Sequence, residues 1–370
     1  MTMAISVARS PMAGERPVVS KSMTAMGMAA SLTPQSRLMP TCPTILLWTP
    51  FTGQQRMLAE GLRNAACELV AVASEAEAIA ALASADGALF AGVAQGYSPA
   101  LAQAVLQAPR LRWLQLISTG QEAVEQHGLP PRVAVTSVGD TAAGVVAEHA
   151  VALLLALGRR LGDAAVQGAR AEWNRAYAAR MDSLDGRTLC LVGYGRIGKE
   201  TARRVQGFGM RCIAVNRSGV GDVVGSVQQV LPLARLHEAL AQSDAVSLSL
   251  PGTAETHRLF GAAEWAACKR GALVVNVGRG TVVDTASLVA ALHSGHLAGA
   301  GLDVTDPEPL PADHALWKAP GVLITPHVGG AGNPQGVARL AALIVENVRR
   351  FGAGEELLHP VQIQPSGDAA

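Results

Sequence analysis

Short apolar runs alternate with stretches of helical spacing from Thr44 nearly to the end of the chain. The runs Thr44-Ile-Leu-Leu-Trp48, Leu69-Val-Ala-Val72, Gly87-Ala-Leu-Phe90 and Leu114-Gln-Leu-Ile117 are apolar at almost every position and predict strands buried on both faces. Between them, Gln54–Leu62, Glu75–Ala83 and Pro99–Gln107 repeat apolar residues every three or four positions, which predicts helices. Strand and helix in strict alternation predict a doubly wound parallel sheet over roughly Thr44–Ser137. A long apolar-faced helix is expected from Thr141 to about Leu161. Further strands follow at Ala245–Leu250, Leu273–Val277, Gly299–Asp303 and Val322–Thr325, with a helix over Thr285–Leu292, so a second α/β domain is expected. A last helix, Gln335–Phe351, follows that domain and is placed to reach back to the first one.

The second domain opens on Thr188-Leu-Cys-Leu-Val-Gly193-Tyr-Gly195-Arg-Ile-Gly198-Lys-Glu-Thr-Ala-Arg-Arg-Val205. An apolar run breaks into G-x-G-x-x-G, and Ile197, Ala202 and Val205 then recur at helical spacing: strand, tight turn, helix. Gly193 permits the turn, Gly195 leaves no Cβ between backbone and a pyrophosphate, and Gly198 lets the helix lie close on its strand. A dinucleotide fits there. The bare pattern is weak in a chain with 39 glycines, but a second apolar run, Arg211-Cys-Ile-Ala-Val215, supports it. Where an acid would hold a ribose 2′-hydroxyl, the chain has Asn216, Arg217 and Ser218. An arginine there can pair with a 2′-phosphate and its neighbours can donate hydrogen bonds, so the reading leans to NADP, with NAD possible. The plainer alternative is a solvated arginine at a strand end.

Composition narrows the partners. The 370 residues suit two domains, and a net charge of +1 with only 16% charged residues offers no basic stripe for nucleic acid or an anionic membrane. The longest apolar stretch, Ala150–Leu157, is too short to span a bilayer. Five scattered cysteines, Cys42, Cys67, Cys190, Cys212 and Cys268, contain no C-x-x-C pair and read as reduced residues of a cytoplasmic protein; no metal site is expected. Residues 1 to about 43 carry seven of the ten methionines and one acid, Glu15, and are expected to be disordered. They read either as a transit-like segment or as the product of an early start codon, with Met23, Met28 or Met39 as the true start.

Ligands of open parallel sheets sit beyond the carboxyl ends of the strands, and polar groups gather there. Val277 runs into Gly278-Arg279-Gly280, Leu302 into Asp303, the next turn holds Asp306-Pro-Glu308, and Ile324 runs into Thr325-Pro-His327-Val-Gly-Gly330. A histidine beside a carboxylate suits proton delivery to a ketone being reduced, and Arg279 could grip a carboxylate bidentately. Taken singly, each has a duller reading: a turn histidine, a surface arginine, a capping aspartate. Asp306 competes with Glu308 as the histidine's partner. Glu148-His149 offers a rival pair, but adjacent helix positions point about 100° apart, and Val145, Val146 and Val151 suggest a packed helix.

The glycine turn, Asn276-Val-Gly-Arg-Gly280, Gly301-Leu-Asp-Val304, Glu308-Pro-Leu-Pro311 and Thr325-Pro-His-Val328 resemble, in order and spacing, the D-isomer-specific 2-hydroxyacid dehydrogenases. Val146-Ala-Glu-His149, Trp173, Leu184-Asp-Gly-Arg-Thr188, Leu250-Pro with Thr256, and Lys269-Arg-Gly are similar too, and the likeness runs from about Ile45 to Val361. It implies a discontinuous, flavodoxin-like substrate-binding domain from residues 44–140 and 335–365, with a Rossmann domain over residues 141–334. It implies that Arg279 binds the substrate carboxylate and carbonyl, that Glu308 pairs with His327, and that His327 gives and takes the proton. Asp303 would hold the nicotinamide carboxamide, and the backbone of Ser118, Thr119 and Gly120 would meet the substrate carboxylate. The cofactor would lie along Gly193, Gly195, Arg196, Ile197, Gly198, Asn216, Arg217, Ser218, Pro251, Thr256, Val277, Gly278, Arg279, Asp303, His327 and Gly329. The resemblance further implies a homodimer, with the apolar Val145–Leu157 helix either in its interface or in the core.

Three departures bear on the substrate and cofactor. Asn216-Arg217-Ser218 is similar to NADP-preferring glyoxylate and hydroxypyruvate reductases, Gln121-Glu122-Ala123 stands where many members have Asp followed by Asn or His, and Gly329-Gly-Ala-Gly332 differs from the usual loop. Two alternatives stay open beside an oxidoreductase of small 2-oxo acids: a dinucleotide-sensing, corepressor-like interaction protein, and a formate or phosphite dehydrogenase. The loops Thr49–Gln54 and Ala94–Ser98 would shape the substrate pocket.

Overall fold

Two parallel sheets carry the chain in a computed structural model that describes residues 42–363. The readings of residues 1–41 lie outside the described residues. Pro43 already belongs to the fold, its carbonyl accepting the Glu68 N–H at 3.0 Å.

The first sheet is built from β1 (Thr44–Leu47), β2 (Glu68–Ala71), β3 (Gly87–Phe90), β4 (Trp113–Leu116) and β5 (Ala134–Thr136), with helices α1 (Thr52–Gly61), α2 (Glu75–Ala81), α3 (Pro99–Gln107) and α4 (Glu122–His127) between them. Strand order β2-β1-β3-β4-β5 is the flavodoxin-like order of a doubly wound sheet. The central strands β3 and β4 are buried at every position, as their almost wholly apolar sequences require, with Gln115 the polar exception.

The chain then crosses to the second layer through α5 (Ala143–Gly158) and α6 (Leu161–Ala169). One helix is expected over Thr141–Leu161, but two are found. Arg160 adopts a left-handed φ of 55° at the join and its guanidinium pairs with Asp163 at 2.8 Å. The apolar periodicity runs straight across this break and so hides it. Val146, Ala150, Leu153, Leu154 and Leu157 of α5 are buried in a core shared with Leu189, Leu191 and Val275, so this face of the helix belongs to the core.

The second sheet contains β6 (Thr188–Val192), α7 (Arg196–Gln206), β7 (Arg211–Asn216), β8 (Val227–Pro232), α8 (Leu236–Gln242), β9 (Ala245–Leu248), α9 (Ala262–Ala267), β10 (Ala272–Asn276), α10 (Thr285–His293), β11 (Leu297–Leu302) and β12 (Val322–Ile324). All its pairings are parallel, and the order β8-β7-β6-β9-β10-β11-β12 is the Rossmann order extended by one strand. The chain reverses direction across the sheet between β6 and β9, which opens a crevice at their carboxyl ends.

A last helix, α11 (Pro334–Ala353), returns to the first sheet, and β13 (Pro360–Val361) pairs antiparallel with β5. Leu340, Ile344, Val348 and Phe351 of α11 pack with Leu58 of α1 and with Ile45, Leu47 and Leu89, each such side chain contributing on the order of 2 kcal/mol. Asn347, fully buried, donates to Gln115 Oε1 at 3.2 Å and accepts the Leu358 N–H at 2.7 Å, which ties helix, sheet and C-terminal strand together. Among the described residues no helix is long and apolar enough to cross a membrane.

Candidate active site

The glycine turn closes β6 and starts α7. Gly193 has φ 95°, and a Cβ there would stand 2.6 Å from the Ser249 carbonyl oxygen; a Cβ on Gly198 would stand 2.5 Å from the Gly193 carbonyl oxygen. Both positions therefore require glycine. Above Gly195 no atom lies within 4 Å of a Cβ position, so the space over the turn is open and the first N–H groups of α7 face it. This cradle fits a dinucleotide pyrophosphate. Ile197 packs into the core below, and Arg196 turns to Asp140, in the segment between β5 and α5.

At the end of β7 the three residues expected to grip a ribose phosphate divide their work. Asn216 Oδ1 accepts the N–H groups of Ser218 at 3.1 Å and Gly219 at 2.7 Å, and Ser218 Oγ accepts the Val220 N–H at 3.3 Å. Both side chains build the turn. Arg217 projects from it, 84% exposed, and meets Glu255 at 2.6 Å. Glu255 belongs to the turn after β9, where Thr256 Oγ1 donates to the Pro251 carbonyl at 2.6 Å and accepts the Thr253 N–H at 2.9 Å. The same turn reaches the chemistry at its other side, since a Cβ on Gly252 would stand 3.3 Å from Arg279 Cγ.

Arg279 follows β10 in a turn that Asn276 holds from both ends, donating to the Arg279 carbonyl and accepting the Gly278 N–H, each at 3.0 Å. Val277 is buried beneath it. The guanidinium donates through Nη1 to the Gly278 carbonyl at 2.7 Å, and through Nε to Glu122 at the start of α4, on the opposite side of the cleft. Ser118 Oγ accepts the Gly92 N–H at 3.0 Å and donates to the Gly120 carbonyl at 3.2 Å, fixing the loop after β4, while Thr119 is exposed. Gly120 faces Arg279 so closely that a Cβ would stand 2.8 Å from Nη2.

The remaining groups come from the ends of β11 and β12. His327 Nδ1 and Glu308 Oε2 are 2.9 Å apart, and Glu308 Oε1 accepts the Thr305 N–H at 3.0 Å; Glu308, not Asp306, is the partner. The Glu308 hydrogen bond raises the His327 pKa above its ordinary 6.5; burial and the nearby Arg279 charge work the other way, and the charges of Glu308 and Asp303 add to the rise. For Glu308, burial alone would raise the pKa. The hydrogen bonds from His327 and Thr305 and the charges of His327 and Arg279 outweigh burial and hold it below the usual glutamate value.

Asp303 lies behind this pair. Only 3% exposed, it accepts Thr325 Oγ1 at 2.6 Å and the Val328 N–H at 2.9 Å on Oδ1, and the Gly329 N–H at 2.8 Å on Oδ2. The His327 N–H donates to the Asp303 carbonyl at 2.8 Å, and His327 itself takes a positive φ of 54°. Asp303 thus shapes the loop that presents the histidine, a use that sequence reasoning does not assign to it. His149 joins the same network, its Nε2 2.9 Å from Thr325 Oγ1 and 3.3 Å from Asp303 Oδ1. Sequence reasoning places His149 on a packed helix and in a family motif, and Thr325 in a motif, and gives neither a part in this network. Their partners are 176 and 22 residues away, with no local signal.

The family model for the NAD binding domain of D-isomer specific 2-hydroxyacid dehydrogenases matches residues 151–329. A glyoxylate reductase of Korarchaeum cryptofilum is 36% identical over 255 residues, 67% of this chain and 75% of that protein. A glycerate dehydrogenase of Methylorubrum extorquens is 32% identical over 268 residues, 70% of this chain and 81% of that one. The crystal structure of an NADPH-dependent glyoxylate/hydroxypyruvate reductase from Sinorhizobium meliloti, in complex with NADP and sulfate, superposes with a TM-score of 0.73 at 26% identity, covering 86% of this chain and 98% of that one. The chain belongs to the D-isomer-specific 2-hydroxyacid dehydrogenases. Its reaction class is accordingly the NAD(P)-dependent interconversion of a 2-oxo acid and a D-2-hydroxy acid.

Proposed function

We propose that the protein reduces a small 2-oxo acid, glyoxylate or hydroxypyruvate, with NADPH preferred over NADH. The observation that carries this reading is the Glu308–His327 pair, at 2.9 Å, on the same sheet edge as Arg279. A dinucleotide held by the glycine turn supplies the hydride. Arg279 binds the substrate carboxylate through its fork and polarises the adjacent carbonyl. The loop Ser118–Gly120 contributes N–H groups from the facing domain, residues 44–140 with 335–365. His327 donates its proton to the carbonyl oxygen as charge develops there, and in the oxidative direction takes it back. Glu308 keeps the imidazole charged until the transfer. Asp303, besides shaping the loop, offers the nicotinamide carboxamide an acceptor.

The NADPH preference rests on Arg217: the strand end carries no acid to hold a 2′-hydroxyl, and an exposed guanidinium on a turn braced by Asn216 and Ser218 suits a phosphate. A homodimer is supported by the face of α6 and the segment after it, where Leu161 is 53%, Val166 52% and Trp173 96% exposed. Five unpaired cysteines suit a cytoplasmic enzyme.

The test is the initial rate of glyoxylate and hydroxypyruvate reduction with NADPH and with NADH at equal concentration. Turnover with both acids, faster with NADPH, is expected. Cofactor binding without turnover of either acid would overturn the reading in favour of a sensing role. Equal rates with the two cofactors would overturn the part given to Arg217.

A further inference from the structure

The fork of Arg279 is already engaged by a carboxylate of the protein's own. Glu122 stands 157 residues earlier in the chain, at the first turn of α4 on the other sheet, and its Oε1 accepts from Arg279 Nε across the cleft. Its second oxygen crowds the same point as Arg279 Nη2: a Cβ on Gly120 would lie 2.6 Å from Glu122 Oε2 and 2.8 Å from Nη2. The third nitrogen, Nη1, donates to the Gly278 carbonyl. The Nε–Nη2 edge of a guanidinium is a fork that takes one carboxylate at a time. The pair is half-buried, with the Arg279 side chain 21% and the Glu122 side chain 36% exposed, so the competition takes place partly out of water.

We propose that Glu122 is a gate on the substrate-carboxylate site: an internal carboxylate that holds Arg279 until the carboxylate of a 2-oxo acid displaces it. This rests on the reading that Arg279 binds the substrate carboxylate. Two carboxylates cannot share the fork without like-charge repulsion, so the incoming anion must replace Glu122 rather than add to it. The exchange is selective. An α-oxo acid offers a carboxylate to Arg279 and, at the same time, acceptors to the N–H groups of the Ser118–Gly120 loop, so it recovers more than it displaces. A neutral aldehyde or ketone cannot replace the pair. The gate therefore sets a high threshold for entry, appears in KM rather than in the proton transfer, and gives the pocket a preference for compact monoanions. Glu122 touches neither His327 nor Glu308 among its hydrogen bonds, which keeps it apart from the proton chemistry.

The test uses oxamate, an unreactive monocarboxylate shaped like a 2-oxo acid, titrated calorimetrically against the full-length protein saturated with NADPH. Glu122→Gln, which keeps shape and removes charge, should bind oxamate about tenfold more tightly than the wild type, the scale of a close charge interaction at a partly buried site. Glu122→Ala should shift affinity in the same direction, and the KM for glyoxylate should fall in both variants. Oxamide, the uncharged analogue, should show no gain. Unchanged or weaker oxamate binding in both variants would overturn the gate and leave Glu122 as a residue that merely orients Arg279. Arg279→Met separates the two levels. Loss of oxamate binding there, with Glu122→Gln behaving as wild type, rejects the gate alone. Retained binding there rejects the carboxylate site itself and the gate with it.

Discussion

His327 sits on a backbone of φ 54°, a conformation few non-glycine residues adopt, held there by a hydrogen bond to the Asp303 carbonyl. Its side chain is thereby aimed at Glu308, and the pH dependence follows from that contact. A raised His327 pKa keeps the imidazolium present below that value and loses it as pH rises through it. The kcat/KM for reduction should therefore be flat on the acid side and fall with a midpoint above 6.5, the ordinary histidine value, while the oxidative direction rises through the same midpoint. Glu308→Gln removes the largest cause of the rise, so the midpoint should move to lower pH; a midpoint that stays put would separate Glu308 from the histidine's function. Complete replacement, His327→Ala, should lower turnover by about 100-fold or more, measured as kcat with saturating glyoxylate. The histidine and its motif are legible from sequence because they follow a strand. The choice of Glu308 over Asp306 comes from the family resemblance alone, since two residues of spacing cannot say which carboxylate the turn directs inward.

Among the elements, the loop from Thr325 to Gly329 is the one that the rest of the site depends on. Two of its N–H groups and one hydroxyl converge on the Asp303 carboxylate. Asp303→Asn replaces an acceptor oxygen by a donor and leaves at least one of those N–H groups facing an NH2. Destabilisation of about 1–3 kcal/mol is expected, read as a lower melting temperature, together with a fall in kcat because the histidine's backbone loses its support. A loss of stability without loss of kcat would show that the histidine is positioned by Glu308 alone. Regular elements were legible where burial on both faces made an unbroken apolar run, as in β3 and β10. They were not where the pattern itself is weak: β8, Val-Gln-Gln-Val-Leu-Pro, mixes buried and exposed positions, and β13 is two residues long and exists only by pairing with β5. Periodicity also could not see the break before α6, because a single left-handed residue interrupts a helix without changing which residues are apolar.

For the whole molecule, the apolar positions that close the fold and those that remain outside it separate cleanly. One face of α5 is buried against the second sheet, whereas Leu161, Val166 and Trp173 just beyond the helix stay open to solvent. If that face joins two copies, Val166→Glu should convert the wild-type dimer to a monomer in light scattering after gel filtration, with the melting temperature falling as the partner is lost. A monomeric wild type, or a variant that stays dimeric, would move the interface elsewhere or remove it.

Every group of the proposed proton chemistry, Arg279, Asp303, Glu308 and His327, hangs from neighbouring strands of one sheet, and His149 binds that cluster to the helix packed on the same sheet. The other sheet presents Glu122 and the Ser118–Gly120 loop. The enzyme is in this sense a tool with a fixed head and an exchangeable jig. A new substrate can be fitted by rewriting the loops of the first sheet, and the acid–base machinery need not be retuned each time. Variants selected for altered substrate range should accordingly collect their changes around residues 92–98 and 118–125, where each can be tried without breaking the reaction it is meant to redirect.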